Sequence, residues 1–170
     1  PADRENEIYT LLGPWSDETW AAQRALELAE KDIQTLSGNQ LFFAWFNKGT
    51  SHVALRQYAD AAAAYDQSFA LYSKWDIQKG DRPYRMVWYQ TGPYFAYYYS
   101  ARYQDVINLA NTTLKTIAKP TLEESLLWRG RAYYMSGDTQ AAVDDYRAAL
   151  KVHVNWLPAV QALQDLGLQP

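Results

Sequence analysis

Small and apolar residues recur at helical spacing through residues 126–150, LLWRGRAYYMSGDTQAAVDDYRAAL. Ala142 and Tyr146 lie four residues apart, so they share one face of a helix. A turn signal at Gly137 separates this face from an earlier helical stretch that contains Gly130. The pattern therefore predicts two amphipathic helices joined by a tight turn. In this hairpin Gly130 lets the second helix approach closely, and Tyr146 fills the space opposite.

The same skeleton of glycine, aromatic and small positions occurs twice earlier in the chain. One copy is AWFNKGTSHVALRQYADAAAAYDQSFA, with its key positions at Trp45, Gly49, Tyr58, Ala61 and Tyr65. The other is VWYQTGPYFAYYYSARYQDVINLA, with its key positions at Trp88, Gly92, Phe95, Tyr103 and Val106. Its turn is predicted to hold two extra residues, and Ala110 stands where a large aromatic residue is expected. The anchoring glycines are 43 and 38 residues apart (92 − 49 and 130 − 92), so each join carries an insertion relative to a unit of about 34 residues.

These three copies resemble the tetratricopeptide repeat (TPR), a helix–turn–helix unit. The resemblance implies an all-α fold, a right-handed superhelix of about three hairpins, because one hairpin cannot bury its apolar face alone. We expect N-terminal capping helices in residues 1–39 and a C-terminal capping helix in residues 154–170. Between them, residues 40–153 are expected to hold the three repeats, at about 42–75, 85–120 and 123–156.

The second copy breaks a local rule at Pro93. Its first helix is predicted to begin near Pro83, which places Pro93 in the helix interior. Proline there removes a hydrogen bond and clashes with the preceding turn, at a cost of about 3 kcal/mol. We therefore predict a kink, which either accommodates the longer repeat or frees the Tyr89 carbonyl to face a ligand. The other repeat helices are predicted at about 40–55, 59–73 and 104–117.

Charge and composition exclude several classes of function. The net charge is −3 and no basic stripe occurs, which argues against nucleic acid as a partner. No apolar run is long enough to span a membrane. The chain contains no cysteine, which excludes disulfides, thiolate zinc sites and a cysteine nucleophile.

Candidate catalytic and metal-binding residues are few. The two histidines are separate and lack a nearby carboxylate cluster, so we expect no metal site, no cofactor and no enzymatic activity. We interpret His52 as a hydrogen-bonded packing residue. Asp144 and Asp145 are adjacent on a helix and point apart, so we interpret both as solvated rather than as a catalytic pair.

In a TPR array the first helices of the hairpins line a concave groove, and the resemblance implies which residues face it here. These residues are Phe43, Phe46, Asn47 and Thr50 from the first copy, Met86, Tyr89, Gln90 and Tyr97 from the second, and Trp128, Arg131 and Tyr134 from the third. Aromatic and arginine side chains dominate binding hot spots, so this groove suits a peptide or protein segment. An aromatic stripe at helical spacing is also typical of a buried core, and that alternative stays open.

A narrower resemblance is carried by the segments FAWFNKGTSHVAL, YRMVWYQTGPYFAYY and LEESLLWRGRAYY. They are similar to the TPR regions attached to secreted bacterial cysteine peptidases of the bacteriocin-processing type. Because this chain has no cysteine, the resemblance implies no peptidase activity, only an accessory, extracytoplasmic repeat domain. We expect a non-enzymatic interaction module that binds a peptide or protein. The alternatives are a glycan-binding module, a spacer domain whose groove is filled by its parent protein, and self-association into a homo-oligomer.

Overall fold

The computed structural model describes residues 18–72, 87, 90–116 and 122–170. These residues form eight α-helices and no β-strand, which confirms the all-α fold class for this part of the chain. The chain divides into two compact units, residues 1–79 and 80–170. The first unit contains α1 (Glu18–Thr35), α2 (Gly38–Ala54) and α3 (Tyr58–Tyr72). The second contains α4 (Gly92–Tyr99), α5 (Tyr103–Lys115), α6 (Glu123–Met135), α7 (Thr139–Val152) and α8 (Leu157–Asp165).

In the first unit α1 packs against α2, and α2 packs against α3. The helix pair α2 and α3 is the first predicted hairpin. Its core is aromatic, with the Phe46 and Tyr65 rings in edge contact at a centroid distance of 5.0 Å. Gly49 lies directly against Tyr65, and a Cβ atom added to the glycine would come within 2.7 Å of that ring. The absence of a side chain at Gly49 therefore permits the close approach of the two helices, as the sequence predicts.

In the second unit α4 and α5 form the second hairpin, α6 and α7 form the third, and α8 packs against α7. The contact between α6 and α7 repeats the geometry of the first hairpin, because a Cβ at Gly130 would lie 2.6 Å from the Tyr146 ring. Leu163 of α8 is fully buried in a cluster that includes Leu127 and Val143. Pro158 stands in the first turn of α8, where proline is tolerated.

All three hairpins use the same turn. In each, the residue two positions after the first helix has a positive φ, and the next N–H donates to the carbonyl five residues back, as in a Schellman motif. A left-handed residue is most easily glycine, yet only the third hairpin has glycine there. The φ values are 58° at Arg56, 59° at Ala101 and 89° at Gly137. The hydrogen bonds run from Gln57 to His52 at 2.8 Å, from Arg102 to Tyr97 at 2.8 Å and from Asp138 to Tyr133 at 2.9 Å.

The shared turn corrects the register predicted for the second hairpin. Three residues separate the helices in every hairpin, so the expected two-residue insertion in the second turn is wrong. The left-handed residue follows the anchoring glycine by seven residues in the first and third hairpins (56 − 49 and 137 − 130). Counting seven back from Ala101 gives Tyr94, which therefore matches Gly49 and Gly130.

The same register places Ala110 opposite Tyr94 in the second hairpin, because Tyr65 follows Gly49 by 16 residues (65 − 49) and Ala110 follows Tyr94 by 16 (110 − 94). Both side chains are fully buried, with exposed fractions of 0%. In this register the large residue lies on the first helix and the small residue on the second, which is the reverse of the other two hairpins. This exchange accounts for Ala110 at a position where the repeat pattern calls for an aromatic residue.

Pro93 does not lie in a helix interior. The described helix α4 begins at Gly92, so Pro93 occupies its first turn, where the missing N–H has no helical partner to lose. Gln90 and Thr91 are not helical. The predicted kink at Pro93 is therefore wrong for the described residues, and Tyr89 lies outside them.

The exchange between Tyr94 and Ala110 is testable by reversing it. Ala110→Tyr alone should overpack the hairpin and lower the free energy of unfolding by about 1–3 kcal/mol. Tyr94→Gly alone should leave a cavity and lower it by about 3–5 kcal/mol. The double variant restores the arrangement of the other hairpins. We expect its loss to be smaller than the sum of the single losses, measured by urea denaturation. Gly130→Ala is the positive control for overpacking, and simple additivity of the two single losses would contradict the exchanged packing.

Candidate functional site

The second unit contains a pocket of about 460 Å³ between α4, α6 and α8, with α7 beneath it. Its volume falls in the range of about 300–1,000 Å³ that is usual for ligand pockets. Helices α4 and α6 are the first helices of their hairpins, which are the elements predicted to carry the groove. The polar side chains that line the pocket are Tyr98, Arg131, Tyr134, Tyr146, Gln161 and Asp165.

Tyr146 forms the floor of the pocket. Its side chain is 3% exposed, and burial raises its pKa to about 12, while the nearby positive charge of Arg131 opposes that rise. Its hydroxyl makes no hydrogen bond within the described residues. Every fully buried polar side-chain atom among those residues has a hydrogen-bond partner, so the Tyr146 hydroxyl is not fully buried. The Tyr146 hydroxyl therefore opens onto the pocket as a protonated group that can donate to a ligand.

The matching tyrosine in the first hairpin, Tyr65, has a hydrogen-bond partner for its hydroxyl. Tyr65 bonds through its hydroxyl to the hydroxyl of Thr50 at 3.1 Å. Positions in the first and third hairpins differ by 81 (130 − 49), so Arg131 is the residue that matches Thr50. The replacement of a short hydroxyl side chain by arginine leaves the Tyr146 hydroxyl available.

Arg131 is held against an aromatic cluster. Its guanidinium carbon lies 4.7 Å from the centroid of the Trp128 ring, which is within cation–π range. Phe95 and Tyr98 of α4 pack on the same ring at centroid distances of 4.5 and 5.4 Å. Trp128 is thereby covered and only 2% exposed. The cluster fixes the position of the Arg131 charge at the edge of the pocket.

The pocket contains one positive and one negative side chain that do not pair with each other. Asp165 accepts a hydrogen bond from the Gln161 amide at 2.7 Å, one turn earlier on α8. Neither Arg131 nor Asp165 forms an ion pair within the described part of the chain. Burial raises the pKa of Tyr98. The positive charge of Arg131 opposes that rise, so the Tyr98 hydroxyl and the guanidinium interact electrostatically.

The residues predicted to line the groove from the first hairpin divide into two groups. Phe43 is 44% exposed, and Asn47 and Thr50 are also exposed. Phe46 is fully buried among aromatic rings that include Tyr65, so its prediction as a groove residue is wrong. The helical face that carries Gly49 is turned toward α3, and Phe46 shares that face.

The predicted groove residues of the second unit divide in the same way. Arg131 and Tyr134 line the pocket, and Gln90 is exposed. Tyr97 and Trp128 are interior, with exposed fractions of 4% and 2%, so they do not line an open groove. Met86 and Tyr89 lie outside the described residues.

The register error explains the misplaced residues of the second hairpin. The second and third hairpins differ by 36 positions (137 − 101), so Phe95 matches Arg131 and Tyr98 matches Tyr134. Counting from Gly92 instead assigned Tyr97 to the groove. Tyr97 packs beneath Arg102, whose guanidinium carbon lies 4.6 Å from the ring centroid.

A hydrogen-bonded charge network in the second unit was missed at the sequence level. Arg129 donates to both carboxylate oxygens of Asp145, at 2.7 and 2.6 Å, and to the Asn111 side-chain oxygen at 2.6 Å. These bonds join α5, α6 and α7, and the hydrogen bond to Asp145 raises the pKa of Arg129. Asp145 is 6% exposed, so the prediction that it is solvated is wrong, whereas Asp144 is exposed. The spacing in the sequence could have predicted this pair. Asp145 follows Arg129 by 16 residues, as Tyr146 follows Gly130, so each pair faces across the same two helices.

The first unit has an open cleft of about 600 Å³ where the second unit has this network. Lys48 matches Arg129, but Ala64 matches Asp145, so an alanine stands where the second unit has the carboxylate that pairs with the cation. Lys48 pairs instead with Glu30 of α1 at 2.9 Å. Ala64 lines this cleft together with Asp60 of the same helix.

The histidines and carboxylates form no metal cluster in the parts of the chain that the structure describes. His52 is buried and its Nδ1 lies 2.7 Å from the Gln57 side-chain oxygen, which confirms its interpretation as a packing residue. The Nδ1 atom of His153 lies 3.2 Å from the Oε1 atom of Glu123. No helix among the described residues is long and apolar enough to cross a bilayer.

Comparison with known proteins returned no match, either to protein-family models or to curated proteins. The resemblance to TPR domains, and to those of secreted peptidases, therefore stays a prediction that is based on the residues of this chain.

The network around Arg129 predicts a sharp contrast between two adjacent aspartates. Asp145→Ala should lower the free energy of unfolding by about 2–4 kcal/mol, because it leaves a largely buried guanidinium without its carboxylate. Asp144→Ala, on the exposed side of the same helix, should change it by less than about 0.5 kcal/mol. Chemical denaturation of both variants measures the difference, and equal losses would contradict a structural role for Asp145.

Proposed function

We propose that this protein is a TPR-like interaction module that binds a peptide or protein segment without catalysing a reaction. The proposed binding site is the pocket between α4, α6 and α8. The observation that carries this proposal is the meeting of Arg131 and Tyr134 with Tyr98 around the open hydroxyl of Tyr146. Arg131 and Tyr134 are also groove positions in the TPR register.

The hairpin geometry supports the repeat assignment. Three hairpins share one turn, and two of them share the glycine–tyrosine contact between their helices. Helices α6 and α8 begin 34 residues apart (157 − 123), which equals the length of one TPR unit. We propose on these grounds that each hairpin is a repeat, that the two hairpins of the second unit stack on each other, and that α8 occupies the place of a further first helix.

The chemistry of the pocket favours a peptide as its ligand. Tyrosine and arginine dominate the energetics of protein interfaces, since they bury a large area and also form hydrogen bonds. The pocket supplies three tyrosine hydroxyls, one guanidinium, one amide and one carboxylate, which suit the alternating donors and acceptors of a peptide backbone. Trp128 cannot stack on a sugar ring, because neighbouring aromatic rings cover it.

Tyr134 provides the direct test. It is 48% exposed, so Tyr134→Ala should leave the fold intact while weakening binding of a peptide hit by about tenfold or more, which corresponds to about 1.4 kcal/mol. A peptide array screened with the whole chain supplies the hit, and isothermal titration calorimetry measures the affinity. Leu157→Ala is the matched control, since Leu157 is 76% exposed and does not line the pocket.

The alternative functions predict different results. Binding to a glycan array, without peptide hits, would replace the peptide by a sugar as the ligand. Light scattering that shows a homo-oligomer dissociated by Tyr134→Ala would assign the pocket to self-association. A peptide hit whose affinity is unchanged in Tyr134→Ala would place its binding site elsewhere on the chain and contradict the proposed site.

A further inference from the structure

We infer that the pocket of the second unit selects a segment that carries both a carboxylate and a cationic group. The carboxylate meets Arg131, and the cationic group meets Asp165. This inference rests on the proposed function and specifies the chemistry of its ligand.

The first support is the separation of opposite charges within one pocket. Arg131 and Asp165 both line it, yet they form no ion pair with each other or with any other described residue. Each charge is held by a neighbour on its own helix: Arg131 by the Trp128 ring and Asp165 by the Gln161 amide. Two charges that are fixed apart in this way form a preorganised dipole, positive on α6 and negative on α8.

The second support is the cost of filling such a pocket with an uncharged ligand. A bound segment displaces water from the guanidinium and the carboxylate, and a charge that loses water without gaining a partner is strongly unfavourable. A ligand with one charge compensates only one of the two groups. A ligand with both charges, in the matching order, compensates each of them.

The tyrosine hydroxyls complete the recognition of the carboxylate. The Tyr146 hydroxyl faces the pocket, and burial raises its pKa to about 12, so it stays protonated and donates. Arginine together with a hydroxyl donor suits the two oxygens of a carboxylate. In the first hairpin Thr50 occupies the position of Arg131 and engages the tyrosine hydroxyl, so no such site exists there.

The required pair of charges has two sources, which are acidic and basic side chains within a chain or the free termini of a short peptide. Peptides with acetylated and amidated ends, containing Glu and Lys one to three residues apart, test the first source. Uncapped dipeptides with neutral side chains test the second. Fluorescence anisotropy for labelled capped peptides and calorimetry for dipeptides measure binding to the full chain.

We expect the best ligand with both charges to bind about tenfold tighter than matched ligands in which either charge is neutralised. Arg131→Gln should abolish the preference for the carboxylate, and Asp165→Asn should abolish the preference for the cation. The double variant Arg131→Glu with Asp165→Lys should prefer the reversed order of charges. Arg147→Gln and Asp144→Asn, which change exposed charges outside the pocket, are controls that should leave all preferences unchanged.

The outcomes separate this inference from the proposed function. Equal binding of neutral and charged peptides, with loss of both in Tyr134→Ala, would overturn the dipolar ligand and leave peptide binding intact. A carboxylate preference that persists in correctly folded Arg131→Gln, checked by circular dichroism, would also overturn it. Absence of binding by every peptide would overturn both.

Discussion

In the first and third hairpins, a close contact between a glycine on one helix and a tyrosine on the next holds the two helices together. At Gly49 and Gly130 even one added carbon would lie less than 3 Å from the tyrosine ring opposite. The glycine therefore sets the distance between the helices, and the ring sets their rotation. This contact decides which face of α2 and of α6 is buried, and therefore which side chains remain on the surface.

In the second hairpin the large and the small residue stand in the reverse positions. Tyr94 supplies the ring from the first helix, and Ala110 supplies the small residue on the second. The Tyr94 hydroxyl reaches beyond the hairpin and donates to Ser125 of α6 at 2.9 Å, so the ring also ties neighbouring hairpins together. All three hairpins therefore have one large and one small buried residue at these two positions, and in two of them the small residue is glycine.

The sequence predicted the helices better than it predicted their exposed faces. Periodicity and turn residues are local, and the described ends of α2, α3 and α5 lie within two residues of prediction. Exposure depends on the neighbouring helix. Trp128 and Phe46 carry large rings that neighbouring aromatic side chains cover, and Asp145 finds Arg129 on another helix. Arg131 lines the pocket, and its position follows directly from Gly130.

The first and third hairpins have the same packing but differ in the tyrosine hydroxyl, which is hydrogen-bonded in the first and faces a pocket in the third. The packing constraint needs only the ring and leaves the hydroxyl at its far end uncommitted. A threonine one position after the glycine engages that hydroxyl, and the hairpin is then self-contained. An arginine at the same position turns to Trp128 instead, and the hydroxyl of Tyr146 becomes the floor of a pocket. Residues that stabilise the hairpin and residues that shape the site are therefore separable, since the position after the glycine changes the site without changing the contact that holds the helices together.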